Sequence, residues 1–600
     1  MRHSPVAGGR GAEVKFLALM MVFVLVACTE SGDDGPKLSM KELMDPTACM
    51  DCHPNHYREW SGSMHAYASD DPVFLAMNAR GQRETNGELG DFCVKCHAPV
   101  ALHLKATTDG LNLEELPQYM KGVTCYFCHS VESVEGKHNN PLVLAEDGVM
   151  RGGIKDPVAT LAHDAVYSEL LDRTQPASAD MCGSCHDIVT PAGVHLERTY
   201  SEWLDTVFAG DEVEQQNTCS QCHMRGSEGL AAEAEGVFLR TVHDHSFPGV
   251  DVALTPWPEM EAQREAIERE LKTVLVSQIC VVEEGPNGPE AQVMLQNVAA
   301  GHSFPSGAGQ DRRAWVELVA YKGDEVVHSS GVIKDDEVVV DSPDLDLWLM
   351  RDRVYDENND ETHMFWEADR VVSALLQGMT TNHDISPEGE LVHIPVETRV
   401  VQSYYLPEIP DRIAMKVRIR PMGLEILDDL IESGDLDPAI RDQMPTFDLG
   451  GSVLEWNPDD AREQLTLLGL EATCVPPYLP QGSTDPLSGA DFFSAGLEKM
   501  GKKNRKLMMR KRILLRPEQL APHFLRSGRI RHFRNEFRPR VRENPAFGSD
   551  TPGQNVEKKE RSRHEPPVQI SGGGVSPNVR RESSFRFRDL QSGGLDLLRS

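Results

Sequence analysis

Five times the chain reads C-x-x-C-H, at 49–53, 93–97, 125–129, 182–186 and 219–223. With 22 histidines in 600 residues, histidine would follow all five pairs by chance with a probability of about 10⁻⁷. Zinc ribbons and thioredoxin-like dithiols have no need of a histidine there, so they explain the pattern poorly. Covalent attachment of c-type haem does need it: two thiols add across the vinyl groups of one porphyrin edge, and the next residue swings its imidazole under the iron. The expected thioether cysteines are Cys49, Cys52, Cys93, Cys96, Cys125, Cys128, Cys182, Cys185, Cys219 and Cys222, and the expected proximal ligands of five haems are His53, His97, His129, His186 and His223. The motifs lie 44, 32, 57 and 37 residues apart, which is no regular repeat. About 40 residues serve each haem, too few to wrap five porphyrins separately. The sequence therefore predicts a haem-packed, mainly α domain over 48–272, built of short helices and loops, with the porphyrins packed against one another.

The start of the chain fits export, where such haems are attached. Arg2, Arg10 and Lys15 precede the apolar run 16–27, which is too short to cross a bilayer and reads as the core of a signal peptide over 1–27. The run ends in LVAC, so Cys28 is the expected lipidated residue, followed by a polar tether over 28–47. The expected location is periplasmic or outer-membrane-associated, with the membrane reached through this lipid. Charge divides the chain. The last hundred residues hold 24 Lys+Arg against 10 Asp+Glu, a net charge near +14, and leave the first five hundred near −48. An acidic body argues against a nucleic-acid partner and for basic redox proteins as electron donor and acceptor.

From about residue 273 the texture changes. TVLVSQICVVEE, EAQVMLQNV, RAWVELVAY, EVVHSSGVI, TRVVQSYYL and RIAMKVRIR are short apolar or alternating runs bounded by turn residues, which predicts an antiparallel β-sandwich-like domain over 273–480. PEMEAQREAIERELKTV reads as an amphipathic helix closing the haem domain, and MGLEILDDLIESG as a helix within the β-domain. Cys280 and Cys474 flank the β-domain, either as a disulfide tying its ends or as two buried thiols. Residues 481–600 read as a linker and a disordered basic tail. The fold class is thus multidomain: haem domain, sandwich and tail.

Further histidines compete for the distal faces. His53 completes the first motif and is proximal. If HYREWSGSMHA is one helix, His65 lies about 18 Å along its axis from His53, whereas two imidazoles on one iron have nitrogens only about 4 Å apart. His65 is therefore expected on a different haem, and His56 on none.

CMDCH followed by Trp60, Ser63 and His65, then CVKCHAP, GVTCYFCHSVE, HDAVYSELL before MCGSCHD, and RTYSEWL before CSQCHM resemble the cytochrome c-554-like multihaem cytochromes, relatives of the tetrahaem electron acceptor of hydroxylamine oxidoreductase. The resemblance covers roughly residues 48–250 and implies that His65 and His163 are distal ligands, with one of His243 and His245 a third. AAGHSFPSGAGQDRRAWVEL is similar to text in larger exported cytochromes of this kind. There His302 caps a haem from the β-side, or else belongs to a polar turn set by Gly301 and Pro305. His103, His138 and His195 are weaker candidates, and His328, His363, His383 and His393 read as surface residues of the sandwich. Two functions follow from this. One is an electron carrier with largely bis-histidine haems. The other is an oxidoreductase acting on nitrite, hydroxylamine or nitric oxide at one open haem, placed by the resemblance at CVKCH.

Overall fold

Two of the haem motifs form single turns of helix started by the threonine that precedes them. Thr124 accepts a hydrogen bond from Phe127 N–H and starts the helix Cys125–His129, and Thr218 forms a capping box with Gln221 to start Cys219–His223. Val94–His97 is a further single turn, without a side-chain cap, and Cys182 lies in the last turn of the helix Ala177–Gly183. The computed structural model describes residues 37–158, 160–210, 216–385, 391–395 and 398–478. The signal peptide, Cys28 and the basic tail lie outside the described residues. Among the described residues no helix is long and apolar enough to cross a membrane.

Two sequence expectations change in the haem region. HYREWSGSMHA is not one helix: Pro54–Ser61 stops at Gly62, and Met64–Tyr67 starts with the Ser63 hydroxyl accepting from Ala66 N–H. Position 62 needs glycine because Glu259 packs on it: a Cβ there would lie 2.5 Å from the Glu259 Cβ. The region is also less purely helical than expected. Two-stranded ladders join Val131–Val134 to Leu142–Leu144, Val149–Gly152 to Asp164–Tyr167, Ile188–Val189 to His195–Glu197, and Gly226–Gly229 to Arg240–His243. Loops this short satisfy their backbone groups by pairing with one another.

The sandwich follows the alternating runs. One sheet has the order Val400–Tyr405, Gly288–Asn297, Leu275–Gly285, Glu471–Cys474, Arg462–Leu465. The other is built on Glu325–Ser330, Arg313–Lys322, Arg412–Arg420 and Phe447–Asp448. Ile279, Val281, Val293 and Leu295 from the first sheet meet Val316, Leu318, Val417 and Ile419 from the second in one buried cluster. Leu424–Glu432 closes that core with Leu424, Leu427 and Leu430. The cluster does not stop at residue 272. Val73 and Ala76 from the helix Pro72–Glu84 and Ile267 and Leu271 from the amphipathic helix Met260–Leu271 belong to it, so the sandwich is a wall against which the haem region packs.

Cys280 and Cys474 are opposite each other in the ladder and joined in a disulfide across 194 residues. Closing so long a loop restricts the unfolded chain, so Cys280→Ala/Cys474→Ala should lose about 2–5 kcal/mol of stability. Thermal unfolding checks this; the haem content should stay unchanged.

Candidate haem sites

His97, His129 and His223 sit in the short turns described above, and burial lowers the pKa of His53, His97, His129 and His186, holding their imidazoles neutral. The second nitrogens of four motif histidines are committed. His53 Nδ1 donates to the Ala231 carbonyl at 2.7 Å, His97 to Ala68 at 3.1 Å, His129 to Arg151 at 2.5 Å and His223 to Pro248 at 2.7 Å. An Nδ1–H bonded to a carbonyl fixes the tautomer that leaves Nε2 as the metal-binding atom. The same arrangement recurs at three histidines outside the motifs: His163 donates to Asp164 at 3.1 Å, His245 to His243 at 2.8 Å and His302 to Ser303 at 2.8 Å.

Three rings from outside the motifs lie 6.2–6.4 Å from motif rings, and a fourth, His56, lies edge-on 6.1 Å from His53. The centroids of His53 and His163 are 6.3 Å apart, those of His65 and His186 6.2 Å, and those of His223 and His302 6.4 Å. An iron between two imidazoles, with metal–nitrogen bonds of about 2 Å, puts the ring centroids about 6 Å apart. The residues therefore fit the group. The cleft beside the first pair encloses about 880 Å³, open space at its mouth included, and is lined by Cys52, His53, Leu161, His163, Ala231 and Val237 among others.

The thiols of different motifs also lie together. Cys49 is beside Cys125, Cys96 beside Cys185, and Cys182 beside Cys219, and these neighbours push Cys125, Cys185 and Cys219 well above the ordinary thiol range. Cys182 also raises Cys128, though burial does more. Cys52 is disulfide-bonded in the structure. A sulfur holds one such bond at a time, so its thioether role belongs to the haem-loaded protein.

The other histidines divide clearly. His243 does not face a motif ring; its carbonyl orients His245. His56, expected to be a bystander, packs 4.7 Å from His245 and 6.1 Å from His53, with burial pushing its pKa down to about 4. His138 and His195 face each other at 6.4 Å rather than a motif histidine, and His103 lies 3.3 Å from Glu146. His328 lies 3.9 Å from Asp346, His363 is half-buried, and His383 and His393 are partners in a two-stranded ladder. The ring beside His97 is that of Phe74, stacked at 4.0 Å and 2°.

Sequence reasoning missed one signal. H-S-F-P occurs twice, at 245–248 and 302–305, and in both copies the histidine donates Nδ1 to a carbonyl within two residues. In this repeat His245 and His302 share one arrangement, which His243 lacks.

Residues 48–130, holding the first three motifs, match the family model described as cytochrome c554 and c-prime. The first three motifs therefore lie in a segment of cytochrome c type. The solved structure of a penta-heme cytochrome c552 from Thermochromatium tepidum is similar to the chain, with 21% identity and a TM-score of 0.46 over 70% of this chain and 99% of that one. No curated protein matches this chain.

Behind the sites, acidic groups collect where the haem region meets the sandwich. Burial, with Asp311 adding to it, pushes Glu197 up to about 7, and burial pushes Asp311 up to about 6. Arg312 counters both while gripping Asp251 through two hydrogen bonds, one of 2.6 Å. A raised folded-state pKa favours the fold below the unfolded value and loses that advantage as pH rises through the folded value. Glu197→Gln should therefore gain about 1–2 kcal/mol at pH 8, where the wild type carries the buried charge, and nothing at pH 5. Thermal unfolding at the two pH values checks it.

Proposed function

We propose that the chain holds five covalently attached haems and passes electrons along them as an exported carrier. The observation that carries this reading is the common 6.2–6.4 Å spacing of the pairs His53/His163, His65/His186 and His223/His302. His245, with its Nδ1 committed to the His243 carbonyl, is a further imidazole of the same kind. The haems, when bound, supply reversible one-electron storage. The chain's part is to hold paired imidazoles in place, so that little moves when charge arrives. The adjacency of Cys49 with Cys125, Cys96 with Cys185 and Cys182 with Cys219 supports close contact between neighbouring haem edges. Electron donors and acceptors are then other redox proteins. A pyridine haemochrome count and electron paramagnetic resonance test the proposal: five haems per chain and low-spin signals from the paired sites are expected, and a ratio clearly below five in fully matured protein overturns it.

Lipidation at Cys28 is part of the same proposal. Cys28→Ala should move the protein from the membrane fraction to the soluble periplasm, which fractionation checks.

One observation favours a second reading. His97 has Phe74 beside it, and a phenyl ring offers no ligand. An iron at the second motif with an open face would take a small nitrogen compound. Carbon monoxide or nitric oxide binding to the wild type at one site per chain distinguishes this from a carrier with every distal face filled.

A further inference from the structure

The loop joining Gly226–Gly229 to Arg240–His243 is fastened at its base to the first haem motif. The Ala231 carbonyl accepts from His53 Nδ1, and Glu233 N–H donates to the Cys52 carbonyl, both at 2.7 Å. Its outer side carries Leu230, Phe238 and Leu239, exposed by 42%, 52% and 61%. Single exposed apolar side chains are ordinary, but three within ten residues on the lip of a cofactor cleft mark a contact surface. Phe238 is held in place there: the Arg240 guanidinium lies 4.2 Å from its ring centroid and is itself bonded to Asp156 at 3.0 Å. Charge surrounds the lip. Glu228, Glu233 and Glu235 on the loop are exposed, as are Asp156, Asp164 and Glu169 on the opposite wall. The cations present are engaged, Lys37 with Asp164, Arg240 with Asp156 and Lys155 with Asp172. The surface is a small apolar centre in a net-negative ring.

We propose that this lip is the docking port of a small basic redox protein whose own cofactor edge is ringed by lysines, and that electrons pass there to or from the first haem. The proposal rests on the carrier reading of the His53/His163 pair. The carboxylates steer a cationic partner over several ångströms, and the apolar centre lets the two surfaces meet without trapped charge. The area is small and open, which suits a partner that must leave after each transfer.

The test uses the full-length, haem-loaded protein with mitochondrial cytochrome c as the basic probe. Binding is titrated by calorimetry at low ionic strength, and electron transfer is followed by stopped-flow absorbance. Glu233→Lys/Glu235→Lys should weaken binding about tenfold, with the difference closing as salt is raised. Phe238→Ser/Leu239→Ser should slow transfer and leave the salt dependence alone, while Asp459→Lys/Glu463→Lys on the sandwich should stay within about twofold of wild type. Unchanged absorption spectra in all variants keep a folding defect from imitating these results. Equal weakening by the sandwich pair overturns the port, because attraction is then a matter of net charge. Binding that appears only when the residues ahead of Lys37 are removed also overturns it, since that segment would be the occupant. Self-association abolished by Phe238→Ser/Leu239→Ser would do the same in favour of a second copy. If the probe fails to bind while dithionite still reduces every haem reversibly, the port falls and the carrier reading stands. If reduction itself is not reversible, the carrier reading falls and takes the port with it.

Discussion

Replacing Cys182 and Cys185 by alanine should cost the protein more than one haem. The fourth motif lies among three others: Cys182 is beside Cys219 of the fifth and close enough to Cys128 of the third to raise it, and Cys185 is beside Cys96 of the second. Its histidine faces His65, which comes from the segment following the first motif. The helix that delivers it is tightly built in, with Ala179 fully buried in a cluster with Tyr200 and Trp203, and with Gly183 so close to Tyr200 that a Cβ there would meet its ring at 2.2 Å. A porphyrin that removes several hundred Å² of apolar surface from water contributes on the order of 10 kcal/mol. That is comparable with the whole stability of a typical domain, so its loss leaves the neighbouring sites without a wall. The haem-to-protein ratio should fall from five to three or fewer, with a broadened unfolding transition. Cys93→Ala/Cys96→Ala is the comparison: the second motif has its thiol contact with Cys185 and should give a ratio of four. A folded fourth-motif variant that keeps four haems and normal stability would show instead that the sites mature independently.

What could be read from the sequence followed from how local each cause was. RAWVELVAY became the strand Arg313–Lys322 because its alternation alone separates the face carrying Val316 and Leu318 from the face carrying Trp315. Cys280 and Cys474 were legible as a pair because both lie in strands at the ends of the sandwich, but their direct opposition is a matter of register. The close approach of Glu259 to Gly62 was illegible, since the two are almost two hundred residues apart. Chain order also misleads about neighbours: the first motif touches the third through Cys49 and Cys125, and the second touches the fourth. The carbonyls of Ala68, Arg151, Ala231 and Pro248 carry no side-chain signal at all, yet they set the tautomers of four motif histidines. The repeated H-S-F-P is itself a sequence signal, and it sets His245 apart from His243.

His65→Ala should turn one iron in five high-spin while all five haems stay attached. Attachment depends on the C-x-x-C-H motifs, which the change leaves intact. The His65 ring lies 6.2 Å from that of His186, so the site affected is the fourth motif's and not that of the neighbouring His53. Burial pushes the His65 pKa down to about 3, which keeps the ring neutral and its nitrogen available across the working pH range. The backbone there is held independently of the side chain. The His65 carbonyl accepts from Val123 N–H at 2.8 Å, and Trp60 Nε1 donates to the Val123 carbonyl at 2.8 Å, so removing the ring opens a face without moving the chain. Phe247, with its ring 4.5 Å from His65, lines the space left behind and offers no substitute ligand. The variant should bind carbon monoxide at one additional site relative to wild type, and millimolar imidazole should restore the low-spin spectrum. That rescue separates a ligand from a packing residue, because free imidazole restores a missing bond to iron and cannot restore a distorted backbone. His56→Ala is the control: its ring packs on His245 and should leave the spin state unchanged. An unaltered low-spin spectrum in His65→Ala would sink the assignment, and high-spin signal that imidazole fails to reverse would reduce His65 to a packing residue and leave the distal ligand of the fourth motif to be sought elsewhere.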